Sequence, residues 1–298
     1  MKCHVIVIGL TRSGTTFVTN ILAKSGQFKV EVEPHALWKS GNYKYLNDEE
    51  YDVNEKTVAK IKKTLCGHLE GKRLLEKSPI NSLRPYLVHK VFPDAKIVYI
   101  ERDPIRCIYS NYERSLKNDS FKPSITLRKY FFKTGYEDLP FATSNRKLFS
   151  QLTWEDLPYF TKYVCYMVWQ RSIKPSLFPF GPKLKNFMSY IEKNGFLKYH
   201  VEVFVRSLHF KAVFESLYQD RLKTFRLEKL MTDRNELVQL FEWAGLEVNE
   251  KDLRKVLSNI DEGRKKKSTK KRDVDYRIEE LLTESLSYYE NAKYKNGN

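Results

Sequence analysis

Four β-branched residues in a row, Val5–Ile8, end on Gly9, and this reads as a short strand buried on both faces of a parallel sheet. From Thr15 to Ser25 the period becomes that of a helix, with Phe17, Ile21 and Leu22 on one face and Gly26 as its stop. Strand, glycine loop and helix in that order open a nucleotide-binding βαβ unit. A second strand is expected at Arg73–Glu76, a helix over Ser82–Phe92, a turn at Pro93–Ala95 and the clearest later strand at Lys96–Arg102. Pro104 then falls in the first turn of a helix reaching about Leu116, where its missing N–H costs nothing. Further helices are expected at Tyr159–Ser172, Leu208–Tyr218, Asn235–Ala244, Asp252–Ile260 and Tyr276–Tyr289, with a late strand at Leu222–Arg226. Strands alternating with helices predict an α/β fold, a parallel sheet flanked by helices on both faces, in one domain spanning residues 1–298. The pattern breaks at about 117–158, a stretch rich in Phe, Tyr, Lys and Pro that reads as an insertion or lid over a site.

Charge changes the picture more than composition does. The chain has 53 Lys and Arg against 37 Asp and Glu, a formal net charge of +16, which favours anionic partners: nucleotides, nucleic acid, acidic glycans or membrane surfaces. The four cysteines, Cys3, Cys66, Cys107 and Cys165, are far apart, so neither a zinc site nor a disulfide framework is suggested and a reducing compartment fits. The six histidines are scattered, and no metal-ligand cluster is expected. No apolar run approaches the ~20 residues needed to span a bilayer. Val5–Ile8 is too short for the apolar part of a signal peptide, so a soluble, cytoplasmic chain is expected.

The candidate chemistry starts at the loop. Gly9-Leu10-Thr11-Arg12-Ser13-Gly14-Thr15-Thr16 keeps the glycine spacing of G-x-x-x-x-G-K-[ST], but Thr15 stands where the lysine belongs and the cation is Arg12. Such a turn points successive backbone N–H groups at one anion, ahead of a helix N-terminus with partial positive charge. A P-loop-NTPase-like three-layer sandwich is the matching architecture. ATP hydrolysis is poorly supported, because the missing lysine is the group that reaches the β- and γ-phosphates. Arg12 can still hold anionic oxygens through its planar fork.

The stretch Arg12-Ser13-Gly14-Thr15-Thr16 resembles the 5′-phosphosulfate loop, [KR]-S-G-T-T, of the sulfotransferases that use 3′-phosphoadenosine 5′-phosphosulfate (PAPS). Arg102-Asp103-Pro104, with Ser110 one helical stretch later, resembles the same family's second signature. Leu75-Glu76-Lys77-Ser78-Pro79 is similar to the E-K-[ST]-P segment of carbohydrate-type members, and Phe225–Leu230 with Trp243–Leu246 to the family's late strand and the helix after it. The resemblance implies PAPS as donor, 3′,5′-phosphoadenosine (PAP) as product and no metal. By it, Arg12, Ser13, Gly14, Thr15 and Thr16 hold the phosphosulfate, Arg102 and Ser110 bind the 3′-phosphate, and Lys77 lies near the transferred group. The basic run 264–272 occupies the place where members add contacts to the nucleotide's phosphate, which brings in Lys265 and Lys266. The sequence departs from the family pattern at Glu101, before Arg102, and it cannot be aligned across the acceptor region.

Transfer to a hydroxyl needs a base for the acceptor proton and cations where charge builds on the departing oxygen. Glu33, in Val32-Glu33-Pro34-His35, follows the first helix and can return to the sheet's carboxyl edge, and it matches the glutamate of the carbohydrate-type E-x-H segment. His35 is the rival, since imidazole titrates nearest neutral pH. Glu31 is a third choice, sharing a face with Glu33 on an extended segment. Against these stand plainer readings: Glu33 and His35 paired with basic neighbours, Lys77 in a structural salt bridge beside Glu76, 264–272 as a solvated run, and Trp169 in the core. The acceptor is expected to be a hydroxyl-bearing molecule, with a saccharide or acidic glycan preferred, and nucleic acid is a less expected partner. The alternatives are a P-loop kinase or NTPase with an atypical loop, or a basic polyanion-binding protein.

Overall fold

A computed structural model describes residues 3–67, 69–117, 154, 157–247 and 273–295. Five parallel strands form its centre: β1 (Val5–Ile8), β2 (Phe28–Val32), β3 (Arg73–Lys77), β4 (Lys96–Glu101) and β5 (Leu222–Arg226), in the order β2-β3-β1-β4-β5. β1 is central and all four of its side chains are fully buried, each worth about 1.5–3 kcal/mol when transferred from water. The order reverses at β1: the chain runs out to β2 and back through β3 on one side, then continues to β4 and β5 on the other. In open parallel sheets that reversal leaves a crevice at the carboxyl ends of the strands.

Helices cover both faces. On one, α1 (Thr15–Ala23) presents Val18 and Leu22, and α9 (Arg234–Trp243) presents Leu237, Leu240 and Phe241. On the other, α3 (Glu55–Cys66), α4 (Pro85–Val91) and the long α7 (Phe187–Tyr218) close over Ile6, Leu74 and Ile97. Two short helices sit at the carboxyl edge, α2 (His35–Trp38) and α8 (Leu227–Leu230), and α5 (Pro104–Leu116) leaves it after β4. α6 (Leu157–Ile173) and α10 (Asp273–Lys295) complete the described elements.

The expected α/β architecture is the observed one, with several local differences. Strand β2 and helix α3 are additions to the elements expected from the pattern. The helix expected over Ser82–Phe92 begins as a 3-10 turn, Pro79–Leu83, and only Pro85 starts α4, since a proline opens a helix more readily than it continues one. Leu208–Tyr218 is the last third of α7, which is broken at Gly195 (φ 75°, ψ 170°). Trp169 is not core: α6 is apolar on every side, buries Phe160, Val164 and Met167, and leaves Trp169 exposed with Tyr159 and Tyr166. The expected insertion at 117–158 and the helix Asp252–Ile260 lie almost wholly outside the described residues. Among the described residues no helix is long and apolar enough to cross a membrane.

Candidate active site

The glycine loop leaves β1 at the sheet's carboxyl edge. Gly9 cannot carry a side chain: a Cβ there would lie 2.7 Å from both the Ile100 carbonyl oxygen and Ser13 Oγ. Gly14, the N-cap of α1, has φ 102°, and a Cβ would meet Leu227 of α8 at 2.6 Å. Arg12 is itself left-handed at φ 69°, a conformation that costs a non-glycine residue about 1–3 kcal/mol and tends to mark functional loops. No side chain caps α1 and its first turn carries no acid, so its N–H groups are left for an outside acceptor. Ser13 Oγ is buried without a hydrogen-bond partner, which also suits an anion docked in the loop. Thr15 is buried beside it and Thr16 is exposed at the helix mouth.

α5 holds this loop from the side. The Thr11 hydroxyl donates to the Asn111 side-chain carbonyl at 2.6 Å, and the Asn111 amide donates back to the Thr11 backbone carbonyl at 2.9 Å. Arg12 Nε donates to Ser110 Oγ at 2.9 Å, and Arg102 Nη1 donates to the Arg12 carbonyl at 2.7 Å. The two segments assigned from sequence to different phosphates are thus in direct contact. Arg102 follows β4, and burial, its largest influence, pulls its guanidinium below the usual value. Asp103 caps α5 by accepting from the Arg106 N–H, and its own N–H donates to Glu228 on α8 at 3.1 Å. Beside Arg102 opens a cavity of about 450 Å³, bordered by Pro104, Cys107, Phe204, Arg226 and Lys229. Burial pushes the Cys107 thiol up to about 12, so it lines the cavity as a neutral group and not as a nucleophile.

Across β1, a second cluster forms at the ends of β2 and β3. Register pairs Lys77 with Val7 of β1 and with Val32 of β2, so both strands stop level with the start of the loop. The Glu33 N–H donates to the Lys77 carbonyl at 2.8 Å, then the chain turns sharply, with Glu33 at φ 51°. That turn brings its carboxylate back over the strand ends. Lys77 Nζ donates to Glu33 Oε1 at 2.6 Å, and His35 Nε2 lies 3.2 Å from Glu33 Oε2. Lys77 is almost wholly buried, whereas Glu33 keeps 20% of its side chain exposed and remains open to a ligand. Lys77 therefore pairs with Glu33 and not, as one sequence reading had it, in a bridge beside Glu76. Glu31 does not share the face of Glu33: it is buried within β2, with Lys29 Nζ 3.8 Å away, because the left-handed turn at Glu33 ends the strand's alternation.

The structure thus joins Arg12, Ser13, Gly14, Arg102 and Ser110 at one side of the carboxyl edge, and Glu33, His35 and Lys77 at the other. Lys265 and Lys266 lie outside the described residues. Sequence reasoning missed Thr11, Asn111 and Glu228, whose roles arise only from contacts between distant segments. It also missed Trp38, whose indole N–H donates to Glu76 at 2.8 Å. Among the described residues no three His, Cys, Asp or Glu side chains gather as a metal site would require.

Residues 4–140 match the model of the sulfotransferase family. No curated protein sequence matches the chain. Among solved structures, the sulfotransferase domain from the curacin biosynthetic pathway is similar over 95% of this chain and 98% of its own, at 14% identity and a TM-score of 0.46. A sulfotransferase from Alicyclobacillus acidocaldarius is similar over 95% and 96%, at 12% identity and a TM-score of 0.42. A mouse sulfotransferase complexed with PAP is similar over 92% of this chain and 70% of its own, at 10% identity and a TM-score of 0.42.

Proposed function

We propose that the chain is a sulfotransferase, a reading that starts from the family match over residues 4–140, and that it moves a sulfuryl group from PAPS to a hydroxyl acceptor with Glu33 as the base. One observation carries the reading. A loop suited to an anion, with Arg12 bonded to both Ser110 and Arg102, lies at the same sheet edge as a carboxylate–lysine pair at the ends of the neighbouring strands.

In this assignment the uncapped N–H groups of α1, with Ser13, Thr15 and Thr16, bind the 5′-phosphosulfate, while Arg102 and Ser110 bind the 3′-phosphate. The cavity beside Arg102 is large enough for the nucleoside. The acceptor oxygen bonds to sulfur as the bond from sulfur to the bridging phosphate oxygen breaks, and the acceptor proton passes to Glu33. On this reading Lys77 leaves Glu33 for the departing phosphate oxygen. That exchange makes Glu33 more basic, because an opposite charge beside a carboxylate holds its proton affinity down. His35, on the other carboxylate oxygen, orients Glu33 and can take the proton onward.

A saccharide or other glycan acceptor is favoured by the Leu75–Pro79 and Val32–His35 segments, and the +16 charge suits an acidic one. Calorimetry without magnesium tests the donor assignment. PAP is expected to bind in the absence of Mg²⁺ and ATP with Mg²⁺ to bind weakly. Tight Mg²⁺-ATP binding with no heat from PAP refutes it.

A further inference from the structure

Glu76 is a fully buried carboxyl that the proposed chemistry does not use. One of its oxygens, Oε1, accepts two hydrogen bonds, from the Trp38 indole N–H at 2.8 Å and from the Ser78 hydroxyl at 2.6 Å. The other, Oε2, is buried without a hydrogen-bond partner. Glu76 precedes Lys77 on β3 and pairs in register with Glu31 on β2.

Trp38 ends α2, the single turn that begins at His35 directly after Glu33 and Pro34. A helix of four residues cannot hold itself, so tertiary contacts must fix its height over the sheet. The contacts concentrate on Trp38: its carbonyl accepts from Tyr51 at 2.8 Å and from Arg84 at 3.0 Å, and its indole reaches down to Glu76. Lys77 is held by its register with β1 and β2, and the Glu33 backbone by its N–H to the Lys77 carbonyl. By contrast α2, which carries His35 and closes the left-handed turn at Glu33, is tied down to the sheet by the bond from Trp38 to Glu76.

We propose that Glu76 is a positioning residue for the site, the buried acceptor that holds α2 down and so fixes the turn that aims the Glu33 carboxylate at Lys77. The inference rests on the assignment of Glu33 as base and Lys77 as the leaving-group cation. Its requirement is an acceptor oxygen beneath Trp38 and Ser78, not a negative charge, so glutamine should serve and an apolar side chain should not.

Three variants test it: Trp38→Phe, Glu76→Leu and Glu76→Gln. Each is crystallised, titrated with PAP, and assayed for transfer of labelled sulfate from PAPS to desulfated heparin and to p-nitrophenol. In Trp38→Phe and Glu76→Leu the 2.6 Å contact between Glu33 and Lys77 is expected to open beyond 4 Å. Turnover should fall about 10²-fold, the scale of a small misplacement of catalytic groups, while PAP affinity stays at the wild-type level. Glu76→Gln should restore both the contact and turnover close to the wild type. Should Glu76→Leu fail to fold, Trp38→Phe still decides: it removes the donor together with part of the buried ring, and urea unfolding separates the lost packing from the lost bond. A Glu33–Lys77 contact and a turnover unchanged in Trp38→Phe overturn the proposal, as does a Glu76→Gln enzyme as impaired as Glu76→Leu. A wild type that binds PAP but transfers to neither probe counts against the function proposed above, and the crystallographic separation still decides the positioning.

Discussion

Glu76 also makes a prediction about stability that needs no acceptor. Burial is the largest influence on its carboxyl and, with Glu31 opposite, outweighs the bonds from Ser78 and Trp38 and the nearby charge of Lys77, raising it from an ordinary 4.5 to about 7. A carboxyl raised in this way holds its proton in the folded protein when the unfolded chain has already lost it. Stability is therefore intact below about 4.5 and falls as pH rises toward about 7. At about 1.4 kcal/mol per tenfold change, that gap amounts to about 3 kcal/mol, a sizeable share of a typical folding free energy of roughly 5–15 kcal/mol. Glu76→Gln removes the titration but keeps an oxygen for Trp38 and Ser78. Urea unfolding of both proteins at pH 5 and pH 8 isolates the effect, because every other group titrates alike in the two. The variant should gain about 2–3 kcal/mol on the wild type between those conditions, with equal slopes against urea. Parallel stability curves, with a constant difference at both pH values, refute the reasoning and place a compensating cation beside Glu76.

Three further outcomes are expected. Arg102→Ala should raise the PAP dissociation constant about 10–100-fold, the loss of one or two charge-assisted bonds, in calorimetry at fixed salt; unchanged affinity removes Arg102 from the donor site. Glu33→Gln should cut turnover roughly 10²–10⁴-fold with PAP affinity retained, and a fully active enzyme moves the base to His35. Gly14→Ala combines a left-handed backbone with a 2.6 Å approach to Leu227, so urea unfolding should show a loss of roughly 2–4 kcal/mol.

Local features of the chain carried most of the fold and pointed to both halves of the candidate site. The loop was legible because glycine spacing encodes a backbone conformation, and Gly9 and Gly14 are where a Cβ would collide. Strand β2 was less visible because Lys29 and Glu31 interrupt its apolar run. They are accommodated by each other and by the Gly67 carbonyl, a satisfaction that no hydropathy pattern records. Helix α3 did carry a signal, an Asn54 cap ahead of Val58, Ile61 and Leu65, but its lysines imitate a solvated stretch. Trp169 was misplaced for the opposite reason: α6 is apolar around its whole circumference, so periodicity cannot choose which side is buried. The partners Thr11 and Asn111, 100 residues apart, belong to contacts that only the assembled sheet edge creates.

The reciprocal pair between Thr11 and Asn111 has a thermodynamic consequence for whatever enters the crevice. A turn already clamped to its neighbouring helix has surrendered its conformational freedom during folding, so an arriving anion need not order it. Loading should leave the backbone of residues 9–14 nearly superimposable on the empty form, with a modest entropic penalty. Severing the clamp, by Asn111→Leu for instance, would shift that cost from folding to association and appear as weaker capture by an otherwise unaltered set of donors.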